Sequence, residues 1–306
     1  LSAIVNAEAP CPIRPRRIAI INGDDFGFSQ GVNRAIIQAH EQGILTSTSL
    51  MVTGEAFAEA VELAKAHPKL AVGLHLVVGC GKSVLAPSQI PHLVDAQGNF
   101  PEDPVLTGLR YQFHPAARRE LPLEIRAQLE KFCQTGLPLS HVDGHLHHHV
   151  HPVVLHHLVS LANEFNIRVI RLPLEELQFT LAHNRENWLT KLIWSLVFTR
   201  LRRHGEGLLK QKGIQYADRV YGLLQTGRMT EAYLLELIPQ IQADWVEIYS
   251  HPAIALPGEP SNSPLNLGAA ELDALLSDRV RQVLDQQGFQ LTHYQERLRS
   301  LSQPVT

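Results

Sequence analysis

Between Ser140 and Pro152 the chain carries His141, Asp143, His145, His147, His148, His149 and His151. Imidazole is the commonest protein ligand for a catalytic divalent metal. On extended backbone, an alternating His-x-His-x-His register sets several imidazoles on one face. Residues 139–143 are expected to end a strand, and His151-Pro152 to open a helix with Pro152 near its first turn. Sites in α/β folds are built where a strand hands over to a helix. One or two of these His therefore suffice as ligands, with His145 favoured and His148 on the other side of the extended run. A purification tag does not explain a run internal to the chain. A solvated polar loop is the plainer alternative.

Three further groups have matching chemistry. Asp24 and Asp25 are adjacent carboxylates after an apolar run, so one can bind a metal while its neighbour acts as a base. A turn and helix cap is the competing reading. His75 lies within Gly73-Leu74-His75-Leu76-Val77, and His251 follows Val246-Glu247-Ile248-Tyr249 in Ser250-His251-Pro252. Each taken alone reads as a core histidine. Taken together, Asp24/Asp25, His75, His145 and His251 all fall near the C-terminal ends of separate expected strands, which share one rim in a barrel. One Asp and two His around a divalent ion leave positions open for water and substrate, the arrangement of a metal-assisted hydrolase.

The elements that must position these residues alternate. Strands are expected at 18–21, 46–52, 70–78, 139–143, 167–172, 215–221, 245–249 and 289–294. Helices are expected from Ser29 to Gly43 and at 56–66, 123–135, 152–164, 184–204, 231–241 and 269–287. The stretch 79–122, rich in Pro and Gly, is expected to be a long functional loop. Strand–helix alternation implies a parallel sheet closed or nearly closed into a barrel. Residues 1–15 are expected to be a tail and 16–306 a single domain.

Composition narrows the partners. The formal charge of −3 over 306 residues, with no dominant basic stretch, argues against nucleic acid. Cys11, Cys80 and Cys133 form no Cys-x-x-Cys pair, which favours a reducing compartment such as the cytoplasm. Gly79-Cys80-Gly81-Lys82-Ser83 lacks the spacing of a phosphate loop. No apolar run has the length of a membrane span. The 184–204 helix, however, has apolar residues on more than one stripe, with Arg200, Arg202 and Arg203 at one end. It is expected either to meet lipid at a membrane surface or to be a fully buried helix with a charged end.

Asn22-Gly23-Asp24-Asp25-Phe26-Gly27, Thr46-Ser47-Thr48, Gly73-Leu74-His75-Leu76, His141-Val142-Asp143-Gly144-His145-Leu146-His147 and Ser250-His251-Pro252 together resemble the YdjC-type carbohydrate deacetylase family. The resemblance covers about residues 17–294. Thr46 to Val52, His151-Pro152 and Ser250-His251-Pro252 are similar to the branch associated with hopanoid biosynthesis. The resemblance implies an α/β fold, a deformed (β/α) TIM-like barrel of the glycoside hydrolase/deacetylase type. It also implies hydrolysis of the acetyl amide of an N-acetylglucosamine-type sugar, free or carried on a hopanoid glycolipid at the inner membrane surface. By the same resemblance Asp25, His75 and His145 would hold one divalent metal (Mg, Zn, Mn, Co or Fe), Asp24 would be the base and His251 the acid. Arg171, at the end of the 167–172 strand, and His147 are the candidates for touching substrate. Gly23 departs from the Asn-Ala-Asp-Asp more common in the family, and His148 and His151 extend the His run beyond its pattern. The alternatives are a chito-oligosaccharide deacetylase or other amide hydrolase of this barrel type, and a non-catalytic His-rich metal-binding protein.

Overall fold

In the computed structural model, residues 17–262 and 265–302 are described; the expected tail at 1–15 lies outside them. The chain begins with β1 (Arg17–Phe26), α1 (Gln30–Gln42), β2 (Ser47–Leu50), α2 (Phe57–Ala66) and β3 (Ala71–Leu76). Next come α3 (Pro104–Phe113), α4 (Pro115–Gln134), β4 (Val142–Gly144), a 3-10 turn (His145–Val150) and α5 (Pro152–Leu161). They are followed by α6 (Leu177–His183), α7 (Trp188–Lys212), β5 (Arg219–Tyr221), α8 (Glu231–Leu237) and β6 (Trp245–Ser250). The last elements are α9 (Gly268–Leu276), α10 (Asp278–Gln286), β7 (Phe289–Leu291) and α11 (Tyr294–Ser302).

Among the described residues the ladders between the named strands are parallel, in the order β4-β3-β2-β1-β6-β5, with β7 on the start of β1. The sheet curls without closing by ladders. Isolated bridges, Val142 to Ile170, Val169 to Gln215 and Leu174 to Val220, span the remaining gap. The expected strand at 167–172 is therefore reduced to single bridges, and the expected deformed barrel takes the form of a curled parallel half-barrel sheet. Helices cover the convex face and build the main core with residues such as Ile21, Ile36, Leu74 and Leu158. The concave face holds a small cluster of Ile20, Val169, Val220, Tyr249 and Tyr294. Strand alternation then puts Asn22 and Asp24 on the same side as Ile20.

Local chemistry explains where the sequence expectation failed. The loop expected at 79–122 contains α3 and the start of α4, because Pro104 and Pro115 stand in the first turn of a helix rather than breaking one. Asp103 caps α3 by accepting from the amides of Val105 and Leu106, at 2.8 and 2.9 Å. The remaining loop is tied to α4. The Glu124 carboxylate accepts from the amides of Val84 and Leu85, and Gln128 bonds both the N–H and the C=O of Val77. The helix expected over 269–287 is interrupted at Ser277, whose hydroxyl accepts from Arg279 and Val280 and starts α10. The last strand stops at Leu291, and Tyr294 already belongs to α11. The helix expected over 184–204 runs instead from Trp188 to Lys212, where Gly213 adopts φ +68° and ends it.

Gly73 in β3 leaves room on the concave face for the His141 ring. A Cβ there would lie 2.4 Å from His141 Cε1, and His141 is buried with little space to retreat. Gly73→Ala is expected to lower stability by about 1–3 kcal/mol, read by urea unfolding; an unchanged midpoint would show that the ring has somewhere to go.

Candidate metal centre

The Asp pair sits where β1 is irregular. Its register with β2 shifts between Gly23 and Phe26, and Asp25 adopts the left-handed conformation with φ +67°. A bulge of this kind re-aims consecutive side chains. Asp24 and Asp25 accordingly diverge, not by plain strand alternation but through this local backbone.

Asp25 Oδ1 lies 3.2 Å from His75 Nε2 and 3.1 Å from His145 Nδ1. Its other oxygen accepts from Asn262 at 3.3 Å. The three candidate donor atoms lie within 4.8 Å of one another. Ligand atoms about 2.0–2.2 Å from a shared ion would be roughly 2.8–3.6 Å apart in tetrahedral or octahedral geometry; the two Asp25 separations fit that spacing. Behind His75, the β3–β4 register pairs it with Asp143, whose Oδ1 lies 2.8 Å from His75 Nδ1. A carboxylate on the far imidazole nitrogen fixes the ring and its tautomer, as in many metal sites.

Asp24 turns the other way. Arg171 reaches its two oxygens with Nη1 and Nη2, each at 2.7 Å. The same guanidinium meets Asp143 at 2.7 Å and Glu247 at 2.5 Å and lies over the Tyr249 ring. Asp143 also accepts from Ser49 at 2.5 Å, and Asn22 donates to both Asp24 and Ser49. Arg171 is wholly buried. With its guanidinium surrounded by carboxylates, it has no face for a sugar, which corrects its expected place at the substrate. Asp24, His75 and Asp143 form a second convergent set, but Arg171 already neutralises its carboxylates.

The His run does not follow an extended register. His145–Val150 form a 3-10 turn in which Leu146 and His147 are left-handed. His145 faces Asp25, and His147 Nε2 lies 2.8 Å from the Tyr249 hydroxyl. His148 bonds the Pro104 carbonyl, His149 the Arg171 carbonyl, and the His151 side chain caps α5. These last three are thus structural. His251 follows the last residue of β6, and since Gly23 pairs with Ser250 it falls beside Asp24 at the rim. Its N–H donates to Glu271 at 2.5 Å, while its Nδ1 has no partner among the described residues. Glu271 and Glu247 were not singled out in the sequence, though a charge inside the apolar Val246-Glu247-Ile248 was a readable signal.

Charge supports a cation here. Burial would raise the Asp25 carboxyl, but His145 and His75 outweigh it and hold Asp25 well below the usual range. Burial alone would lower both imidazoles. Asp143 and Asp25 instead push His75 up to about 10, and Asp25 pushes His145 up to about 9. Four buried carboxylates, Asp24, Asp25, Asp143 and Glu247, share this interior with one guanidinium, which meets all of them but Asp25. Protons on the two imidazoles reduce that deficit, and a divalent ion displacing them carries the same charge. The donors therefore fit such an ion.

A model of the YdjC-like protein family matches residues 18–286. A carbohydrate deacetylase of Geobacillus stearothermophilus is 32% identical over 282 residues, covering 92% of this chain and 98% of that protein. One from Brevibacillus brevis is 45% identical, but the match spans 49% of this chain and 57% of that relative. Among solved structures, a protein of Enterococcus faecalis V583 proposed to act in cellobiose-phosphate cleavage superposes with a TM-score of 0.71 at 23% identity, over 92% of this chain and 99% of that one. It shares the fold.

His75→Ala and His145→Ala are each expected to cut metal occupancy after loading with Zn or Mn, whereas His148→Ala keeps it; elemental analysis decides. Because the ion displaces protons from imidazoles titrating near 9 and 10, wild-type affinity should rise as pH increases toward that range, with protons released on binding. Calorimetry in buffers of different ionisation enthalpy measures the release. Full metal in His145→Ala would overturn the assignment.

Proposed function

The chain belongs to the YdjC-like family, and from that premise we propose that it is a metal-dependent carbohydrate deacetylase, hydrolysing the acetyl amide of an N-acetylglucosamine-type sugar. The observation that carries the reading is the convergence of Asp25, His75 and His145 next to an Asp24 held by a buried arginine. A divalent ion bound by those three residues supplies Lewis acidity toward the acetyl carbonyl and acidifies water. The mixed carboxylate and imidazole set suits Zn, Mn, Co or Fe.

The protein's own groups account for the proton movements. Asp24 is the base: its oxygens accept from Arg171 and Asn22, which keeps it oriented while a lone pair remains to take the proton of water. As the water oxygen bonds to the carbonyl carbon and the C–N bond breaks, His251 gives its proton to the departing amine. Acetate and a glucosamine-type sugar result. The unpaired polar atoms Ser250 Oγ, His251 Nδ1 and Asn262 Oδ1 suit a ligand rich in hydroxyls. His147, bonded to Tyr249, is the remaining candidate for touching the sugar. The motifs shared with the hopanoid-associated branch make a hopanoid-linked N-acetylglucosamine the finer substrate proposal. A metal-buffering protein would need neither the Arg171–Asp24 pair nor a free His251 nitrogen, and it would not direct His148, His149 and His151 into structural bonds.

Acetate release from N-acetylglucosaminyl substrates is the test. Asp24→Asn is expected to keep its metal and lose roughly 10²–10⁴-fold in turnover. His251→Ala should lose comparably on amides and much less on an activated ester, whose leaving group needs no proton. Equal losses on both substrates would show that His251 serves structure.

A further inference from the structure

The helix α7 has two halves of different character. Its C-terminal half buries an ordinary stripe, Phe198, Arg202, Gly205 and Leu209. Its first ten residues bury none, and Trp188, Leu189, Ile193 and Leu196 are all more than half exposed. On α3, Val105, Leu106 and Phe113 are likewise open, Phe113 at 73%. Both helices flank the same 3-10 turn. His148 bonds Pro104 and lies near Tyr111 on the α3 side, and His147 packs on Phe198 of α7. Leu146, between the two site residues His145 and His147, is 43% exposed. The apolar residues thus occupy both sides of the turn at the mouth of the metal centre. Monomeric proteins rarely leave so many large apolar side chains open in one region.

Charge indicates the occupant. The α7 helix carries six Lys and Arg against one Glu, in a chain with a net charge of −3. Lys210 and Lys212, in its last turn, answer the helix dipole, but Arg200 and Arg203 lie well before that turn. They are exposed and form no ion pair among the described residues. Arg118 and Arg119 are exposed near the start of α4, next to α3. Trp and aliphatic side chains bordered by unpaired Arg are the makeup of a surface that lies in the headgroup region of an anionic bilayer, with Arg stems reaching outward. No helix among the described residues is long and apolar enough to cross a membrane, so the contact is peripheral.

We propose that the exposed faces of α3 and α7, with Leu146 between them, dock the protein on an anionic lipid surface and set the mouth of the metal centre against the headgroups. The proposal goes beyond the deacetylase reading and stands independently of it, because it concerns residues outside the metal and proton-transfer groups. Sedimentation of the full chain with phosphatidylglycerol–phosphatidylethanolamine vesicles tests it, with phosphatidylcholine vesicles as control. Binding is expected to the anionic vesicles and to weaken with salt. It should fall by roughly tenfold or more in the exposed triple variant Trp188→Ser, Ile193→Ser, Leu196→Ser and in Arg200→Glu, Arg203→Glu. Unchanged thermal melts and metal content would establish that both variants are folded. Failure of the wild type to bind, or undiminished binding by both variants, overturns the proposal. So does a wild-type dimer, seen by analytical ultracentrifugation and abolished by the Ser variant without any vesicle binding, since the face then belongs to a second copy of the chain.

Discussion

One guanidinium holds the interior of this protein together. Arg171 is buried with Asp24, Asp143 and Glu247 around it, drawn from β1, β4 and β6 of the curled sheet. A charge taken from water is costly unless fully paired, and removing one partner leaves the others exposed to that cost. The interaction ties distant strands of the sheet together: β1, β4 and β6 each send a carboxylate to one common centre. It also divides the carboxylates. Those that meet Arg171 are neutralised in place, and Asp25, which does not, is the one that faces the two imidazoles.

The sheet and the candidate centre were unevenly legible in the sequence. The run Ile18 to Ile21 followed by two aspartates, and His75 inside an apolar strand, pointed to the right elements because strand ends and interior charges leave a local signal. The His-rich run misled in its geometry. Left-handed residues at Leu146 and His147 carry no signature as clear as a glycine, and no pattern of alternation survives such a turn. The prolines of the expected long loop misled in the opposite sense, since a proline that starts a helix looks the same in sequence as one that prevents it.

Arg171 shows a different limit. Its position at the end of an apolar run suggested a residue presented to ligand, yet what it meets depends on groups more than seventy residues away in either direction, such as Asp24 and Glu247. Pairings of that range are properties of the curled sheet and have no local trace. The same is true of Glu271, which reaches from α9 to the amides of both Met229 and His251 and so ties two rim loops to one helix.

The left-handed backbone at Asp25 bears on how such a protein could decay in evolution. Few residue types other than glycine occupy that conformation readily, and Asn and Asp lead them. Substitution by Glu, the usual conservative exchange for a carboxylate, meets a backbone that disfavours it. Asn keeps the shape and the bond to Asn262 within reach while discarding the charge, and Gly relaxes the backbone while discarding the side chain. A lineage released from selection for metal would thus retain its fold most easily by passing through Asn or Gly at this position, and a silent descendant would carry its history in that one residue.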